Sequence, residues 1–226
     1  MAATSHSKSP RPISRELLAG DTLVAARALL GARLVRDGAG MAPRIGRIVE
    51  VEAYLGEDDR ASHARMGPTA RNRVMFGQAG LAYVYLIYGI HHCLNVVTEP
   101  EGRPAAILIR AVEPIAGIAA MRAERAADAA RRGRQDRHVP EHRLAAGPGL
   151  VGLAFGIDRT MTGLDLCDHA SPLRLEARPA GEPEPEIAAG PRIGVSYAGE
   201  PWTSVPWRFV VPGSPSLSIA RSVPVS

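Results

Sequence analysis

Lysine is almost missing from this 226-residue chain: Lys8 is the only one, and arginine carries the rest of the positive charge. Covalent chemistry through a lysine Schiff base is thereby confined to a single residue near the N-terminus. Cysteine occurs twice, at Cys93 and Cys167, too few for a disulfide framework and more in keeping with a reducing interior. No apolar run reaches the roughly 18 residues that a membrane-spanning helix needs, so no membrane partner is expected. Met1 to Pro12 is polar, with Ser and Pro and no apolar segment. It reads as a disordered arm and not a secretory signal, leaving 13–226 as a single domain with a substantial core. Aromatic residues make up only 4% of the chain, yet three of the five tyrosines fall between Tyr83 and Tyr88.

That aromatic run, Ala82-Tyr83-Val84-Tyr85-Leu86-Ile87-Tyr88-Gly89, is β-branched and aromatic and predicts a strand. Alternation puts Tyr83, Tyr85 and Ile87 on one face. Gly89 breaks the run before a second apolar stretch, Cys93 to Val97, so a hairpin with Tyr88 near its tip follows. An aromatic ring at such a tip has little core to enter and suits a wedge for some partner. The net charge of +4 points the same way. Arginine forks match phosphate oxygens, although an arginine-rich codon bias accounts for the overall excess equally well. The clustering of Arg60, Arg65, Arg71 and Arg73 beside the aromatic run is less easily explained by codon bias.

In chain order, Asp21 caps a helix running to Leu30, with Gly31 as its stop. Strands follow at Ala32 to Arg36 and Arg44 to Tyr54, separated by the turn Asp37-Gly38-Ala39-Gly40. Gly56 to Thr69 reads as a long loop, a length usually tied to function. After the hairpin come a strand at Ala105 to Val112, a helix at Ile115 to Ala130, and a charged stretch, Arg131 to Arg143, expected to be a mobile surface loop. A short helix spans Pro148 to Phe155. The last strands are expected at Pro172 to Ala177, Arg192 to Tyr197 and Trp207 to Val211. With no repeating βαβ pattern, the fold class is α+β: a curved, mostly antiparallel sheet flanked by helices, with a protruding β-hairpin.

Two apparent motifs carry little. Gly147-Pro148-Gly149-Leu150-Val151-Gly152 matches GxGxxG, but no apolar strand precedes it, which argues against a dinucleotide. His91, His92 and Cys93 suggest zinc only until a second ligand pair is sought and not found. The zinc-deaminase signature is also missing, and neither a metal nor another cofactor is expected.

More informative is Ile48-Val49-Glu50-Val51-Glu52-Ala53-Tyr54. Glu50, Glu52 and Tyr54 share one strand face. They make either a solvated face with ordinary glutamates or a site in which a carboxylate serves as general base for water. The second reading calls for a nearby arginine to orient that water and keep the carboxylate ionised. Arg110, after the apolar Ile107-Leu108-Ile109, is the candidate. Parity does not choose between Glu50 and Glu52.

Six ordered blocks together resemble the alkyladenine (3-methyladenine) DNA glycosylase family of the mammalian type. They are Val49 to Gly56, His63, Arg71 to Phe76, Tyr83 to Gly89 with Asn95, Leu108 to Pro114, and Arg192 to Glu200. The resemblance implies that the water-activating glutamate is Glu52, with the water also held by Arg110 and by the backbone carbonyl of Val195. It places the flipped base between Tyr54 and Tyr85, with His63 supplying hydrogen bonds and Asn95 crowding the amino group of guanine. Tyr88 becomes the intercalating residue, with Arg71 and Arg73 on the DNA backbone. The implied partner is double-stranded DNA containing damaged purines, bound by a monomer. The implied location is the nucleoid-bearing cytoplasm of a bacterium or the nucleus of a eukaryote. His91 and His92 depart from the family's aromatic residues after the tip. A non-catalytic module for damaged DNA would have no use for Glu52 and Arg110, and a small-molecule nucleoside hydrolase would leave Tyr88 idle.

Overall fold

A computed structural model describes residues 11–38, 40–135 and 138–218. The long β-branched stretch from Met41 to Leu55 forms β2, which pairs on both sides and organises the sheet. Along one edge runs β5 (Ala105–Ala116). Along the other, the first half of β2 pairs with β1 (Arg33–Gly38) and the second half with β8 (Arg208–Val210). The hairpin strands β3 (Ala82–Ile87) and β4 (His91–Thr98) extend the sheet beyond β5. β6 (Leu173–Glu176) closes the far side against β1, and β7 (Ala188–Gly190) pairs with β8. All these pairings are antiparallel, and the inherent strand twist curls the sheet into a half-barrel.

Among the described residues four α-helices accompany it: α1 (Arg15–Leu18), α2 (Thr22–Leu29), α3 (Ile118–Arg131) and α4 (Pro148–Ala154). Asp21 caps α2 through bonds from the Leu23 and Val24 amides at 2.8 and 2.9 Å. The main core joins Leu29, Leu34, Ile48, Ile107, Ile109 and Phe155, all fully buried. α4 lies tightly on β4. A Cβ at Gly152 would sit 2.1 Å from the His92 carbonyl oxygen, and one at Gly149 2.8 Å from the His91 ring. The GxGxxG spacing therefore serves helix–strand contact.

Several expectations shift. β5 continues to Ala116, paired with Ile45, so α3 begins at Ile118 and not at Ile115. Gly117 makes the corner at φ +77°, where a Cβ would meet the Pro43 carbonyl at 2.5 Å. Arg192 to Tyr197 is not a strand. The ladder in this region runs through Ala188–Gly190, after which Gly194 takes φ +77° and Ser196–Ala198 forms a 3₁₀ turn. The polar groups of this segment turn instead toward buried carboxylates. The glutamate face is not solvated: Glu50 and Glu52 are both completely buried. Of the charged 131–143 stretch, Arg131 closes α3 and Glu141–Arg143 is a 3₁₀ turn, while 136 and 137 lie outside the described residues. At the N-terminus, Pro12 bridges Glu176 and the Ile13 amide bonds Leu175; Met1 to Pro10 lie outside the described residues.

Candidate active site

The site lies where β2, β5, β3 and β4 meet the loop 191–198. Its centre is a run of buried charge. Glu52 accepts from the Tyr54 hydroxyl (2.8 Å) and Arg110 Nη1 (3.0 Å) at Oε2, and from the Ile193 amide (2.7 Å) at Oε1. Arg110 also donates from Nε to Glu50 at 3.2 Å. It stands within β5, 6% exposed, where the β2–β5 register shifts on either side of Glu50. Such irregularities re-aim side chains at sites. Burial alone would lower the Arg110 pKa, but Glu52 and Glu50 outweigh it and the direction is upward. Burial, then the Glu52 charge, pushes the Tyr54 phenol well above its usual range, so it stays protonated and donates.

In front of this run opens a cavity of about 520 Å³. Tyr54, Arg110 and Ile193, the three groups that hold the Glu52 carboxylate, all line it, while Glu52 itself sits behind them. Aromatic rings form its walls. His63 packs edge-on against Tyr85 at 4.5 Å, and Tyr83 lies 5.7 Å from Tyr85. Tyr54 lines the cavity, and the Arg192 guanidinium lies over its ring at 4.7 Å. His63 Nδ1 is 3.0 Å from the Tyr83 hydroxyl. Burial, then the charges of Arg71 and Arg65, lower the His63 pKa to about 4. His63 is an exposed residue of the cavity lining, and the imidazole is neutral at pH 7. Asn95 lines the floor with Nδ2 bonded to the Tyr83 carbonyl at 3.0 Å. Val195 also lines the cavity, and its carbonyl accepts from the Ala198 amide at 2.9 Å and retains a second lone pair.

At the rim stands Tyr88, 84% exposed. The Ile90 amide closes a turn onto the Ile87 carbonyl, and Tyr88 and Gly89 both have positive φ, +54° and +69°. That is the signature of a type I′ turn, which ordinarily takes Asn or Gly at its first central position. Arg71 lines the cavity, its guanidinium 5.4 Å over the Tyr85 ring, whereas exposed Arg73 begins a 3₁₀ turn outside it.

The fold thus gathers Glu52, Tyr54, His63, Arg71, Tyr85, Tyr88, Asn95, Arg110 and Val195 around one cavity and leaves Arg73 beside it. Sequence reasoning missed the second layer. Arg192 makes a fork-to-fork pair with Asp59 at 2.5 and 2.9 Å, both side chains fully buried, and thereby ties the 56–69 loop to the segment that carries Ile193 and Val195. It also missed Arg208, which donates to Glu50 at 3.1 Å. No local pattern announces pairs so far apart in the chain. Among the described residues no cluster of three or more His, Cys, Asp or Glu side chains could hold a metal, and no helix is long and apolar enough to cross a membrane.

Comparison with known proteins agrees with this arrangement. Residues 16–215 match the family model described as methylpurine-DNA glycosylase. A protein of the archaeon Methanocella arvoryzae is 48% identical over 207 residues, covering 91% of this chain and 95% of its own. A Legionella pneumophila protein is 43% identical over 211 residues (93% and 98%), and one from Bacillus cereus is 45% identical over 204 (88% and 95%). All three carry the name "Putative 3-methyladenine DNA glycosylase". With 200 consecutive residues matched and relatives covered almost end to end, this chain belongs to the methylpurine-DNA glycosylase family, enzymes of DNA repair that hydrolyse N-glycosyl bonds.

Proposed function

We propose that this DNA glycosylase extrudes alkylated purines, 3-methyladenine foremost, from duplex DNA and cleaves the glycosidic bond with a water activated by Glu52. A base inside a duplex is out of reach of a protein-held water, so extrusion must come first. Tyr88 enters the stack as the base leaves, offsetting the lost stacking. The base stacks between Tyr54 and Tyr85 with His63 and Asn95 at its edges, and Arg71 and Arg73 meet the backbone. The observation that carries this reading is the bonding of Glu52. A carboxylate has about four acceptor sites, and three are filled by Tyr54, Arg110 and Ile193, all on the cavity wall. The remaining site, on Oε1, is where a water would donate its proton, with Arg110 and the Val195 carbonyl as its further holders.

An alkylated purine is already electron-poor and a good leaving group, so one carboxylate suffices without the separate acid of ordinary glycosidases. The neutral state of His63 supports this division, because an imidazole held near pKa 4 is not an acid at pH 7. Hypoxanthine, uncharged, is accordingly the poorer substrate. No lysine lies in the sequence beyond Lys8, which falls outside the described residues. The enzyme is therefore monofunctional and leaves an intact abasic site. It acts as a monomer.

The test is single-turnover release of free base from a duplex carrying 3-methyladenine or hypoxanthine. Glu52→Gln keeps the shape but loses the charge, and should slow release by about 10²–10⁴, the usual worth of a general base. Duplex binding should survive. A Glu52→Gln enzyme working at the wild-type rate would leave only a DNA-binding module. In the same reactions borohydride should trap no protein–DNA adduct, and a trapped adduct would contradict the monofunctional reading.

A further inference from the structure

Glu50 has no part in the chemistry just described, yet it is completely buried and takes four hydrogen bonds. Oε1 accepts from Arg110 Nε (3.2 Å), Arg208 Nη1 (3.1 Å) and the Ser218 hydroxyl (2.8 Å); Oε2 accepts from the Ser218 amide (2.7 Å). Burying a carboxylate is costly, and an apolar side chain of similar size would stabilise a sheet at least as well. What the charge adds is geometry. Arg110 is held at Nε by Glu50 and at Nη1 by Glu52, two points that fix the guanidinium plane. Nη2 has no protein partner among the described residues, and the side chain lines the cavity. Glu50 in turn is reached from the far end of the chain. Arg143 Nη1 holds the Leu217 carbonyl at 2.8 Å, and Ser218 then closes over the carboxylate. This contact lies beyond residue 215, where the family match ends.

We propose that Glu50 is a positioning residue for Arg110, and that the C-terminal segment through Ser218 is the strap that fixes Glu50. The inference rests on the reading in which Glu52 and Arg110 hold the attacking water. Without the Glu50 charge, Arg110 keeps one anchor and pivots about Nη1, and the free Nη2 moves off the water. A misplacement of about 1 Å in such a group costs on the order of 10²-fold in rate. Because Tyr88, the stacking tyrosines and the surface arginines are untouched, binding of lesion duplex should not change.

The experiment measures single-turnover base release and lesion-duplex Kd for Glu50→Gln, Glu50→Asp, Ser218→Ala, Arg110→Lys and the Glu50→Gln/Arg110→Lys double variant. Glu50→Gln should release base about tenfold to a hundredfold more slowly at unchanged Kd, and Glu50→Asp should recover part of the loss. Lysine has no Nε–H for Glu50 to hold, so the double variant should be no slower than Arg110→Lys. Ser218→Ala removes one strap bond and should cost roughly twofold to tenfold. It decides the matter alone if Glu50→Gln does not fold. Wild-type rates in Glu50→Gln, or in Ser218→Ala where that variant decides, would overturn the proposal. So would full additivity with Arg110→Lys. A wild-type rate in Arg110→Lys itself would instead sink the underlying catalytic reading, which keeps the two failures apart.

Discussion

Tyr88 departs most plainly from local backbone preference. Its backbone sits at φ +54° in a turn that favours Asn, and its ring is left in solvent. Neither folding nor packing asks for tyrosine there. Tyr88→Asn should leave the melting temperature unchanged or raise it, while weakening binding to lesion duplex by about 1–3 kcal/mol, the worth of one base–aromatic stack. Thermal unfolding with a fluorescence-anisotropy titration reads both, and tight binding by the variant would end the wedge assignment. The same side chain was legible from sequence because exposure at a tip follows from a short-range pattern. Glu50 was not. Parity placed it beside Glu52 but could not tell water from Arg208 and Ser218, partners 158 and 168 residues away.

Elements were legible where local chemistry decided them and obscure where tertiary contacts did. The Asp21 cap, the hairpin and α4 all follow from their own residues. Arg192 to Tyr197 carries a strand-like run, Ile193-Gly194-Val195, but the Arg192 side chain is drawn to Asp59 and the Ile193 amide to Glu52. Carboxylate partners won over a ladder, and an oxygen-lined loop took the place of a strand. At the hairpin the controlling contact is again non-local: α4 presses Gly149 against the His91 side chain and Gly152 against the His92 backbone, while Arg132 at the end of α3 donates to the Ile90 carbonyl at 3.1 Å. Gly152→Ala puts a methyl group where 2.1 Å is available. Overpacking of this kind costs about 1–3 kcal/mol. Denaturant unfolding should show that loss. An unperturbed midpoint would mean that α4 does not seat the hairpin.

For the whole molecule, the arginine count misleads until burial is known. Arg44, Arg110, Arg192 and Arg208 are buried, and each faces a carboxylate: Glu124, the Glu50–Glu52 pair, Asp59 and Glu50. Their charge is matched by buried or half-buried carboxylates rather than by an outside anion. Arg60, Arg65, Arg71 and Arg73 are exposed and none forms an ion pair among the described residues; Arg71 lines the cavity, while Arg60 and Arg65 line a separate surface recess with Glu57, Asp58 and Glu200. If these arginines meet phosphates, each contact releases condensed counterions, and the affinity for duplex falls as salt rises. Removing one contact should lower the slope of log K against log salt by about 0.9. Arg73→Ala should do only that, weakening lesion and undamaged duplex alike. Arg71→Ala should do the same and also loosen lesion preference, because its guanidinium stacks on the Tyr85 face that the extruded base would use. Arg174, held by Asp37 and Glu176 across the molecule on β6, supplies the comparison: Arg174→Ala should leave the slope as it is. Identical slopes for wild type, Arg71→Ala and Arg73→Ala would remove both residues from the DNA interface, and the positive surface would then have to act by long-range attraction alone.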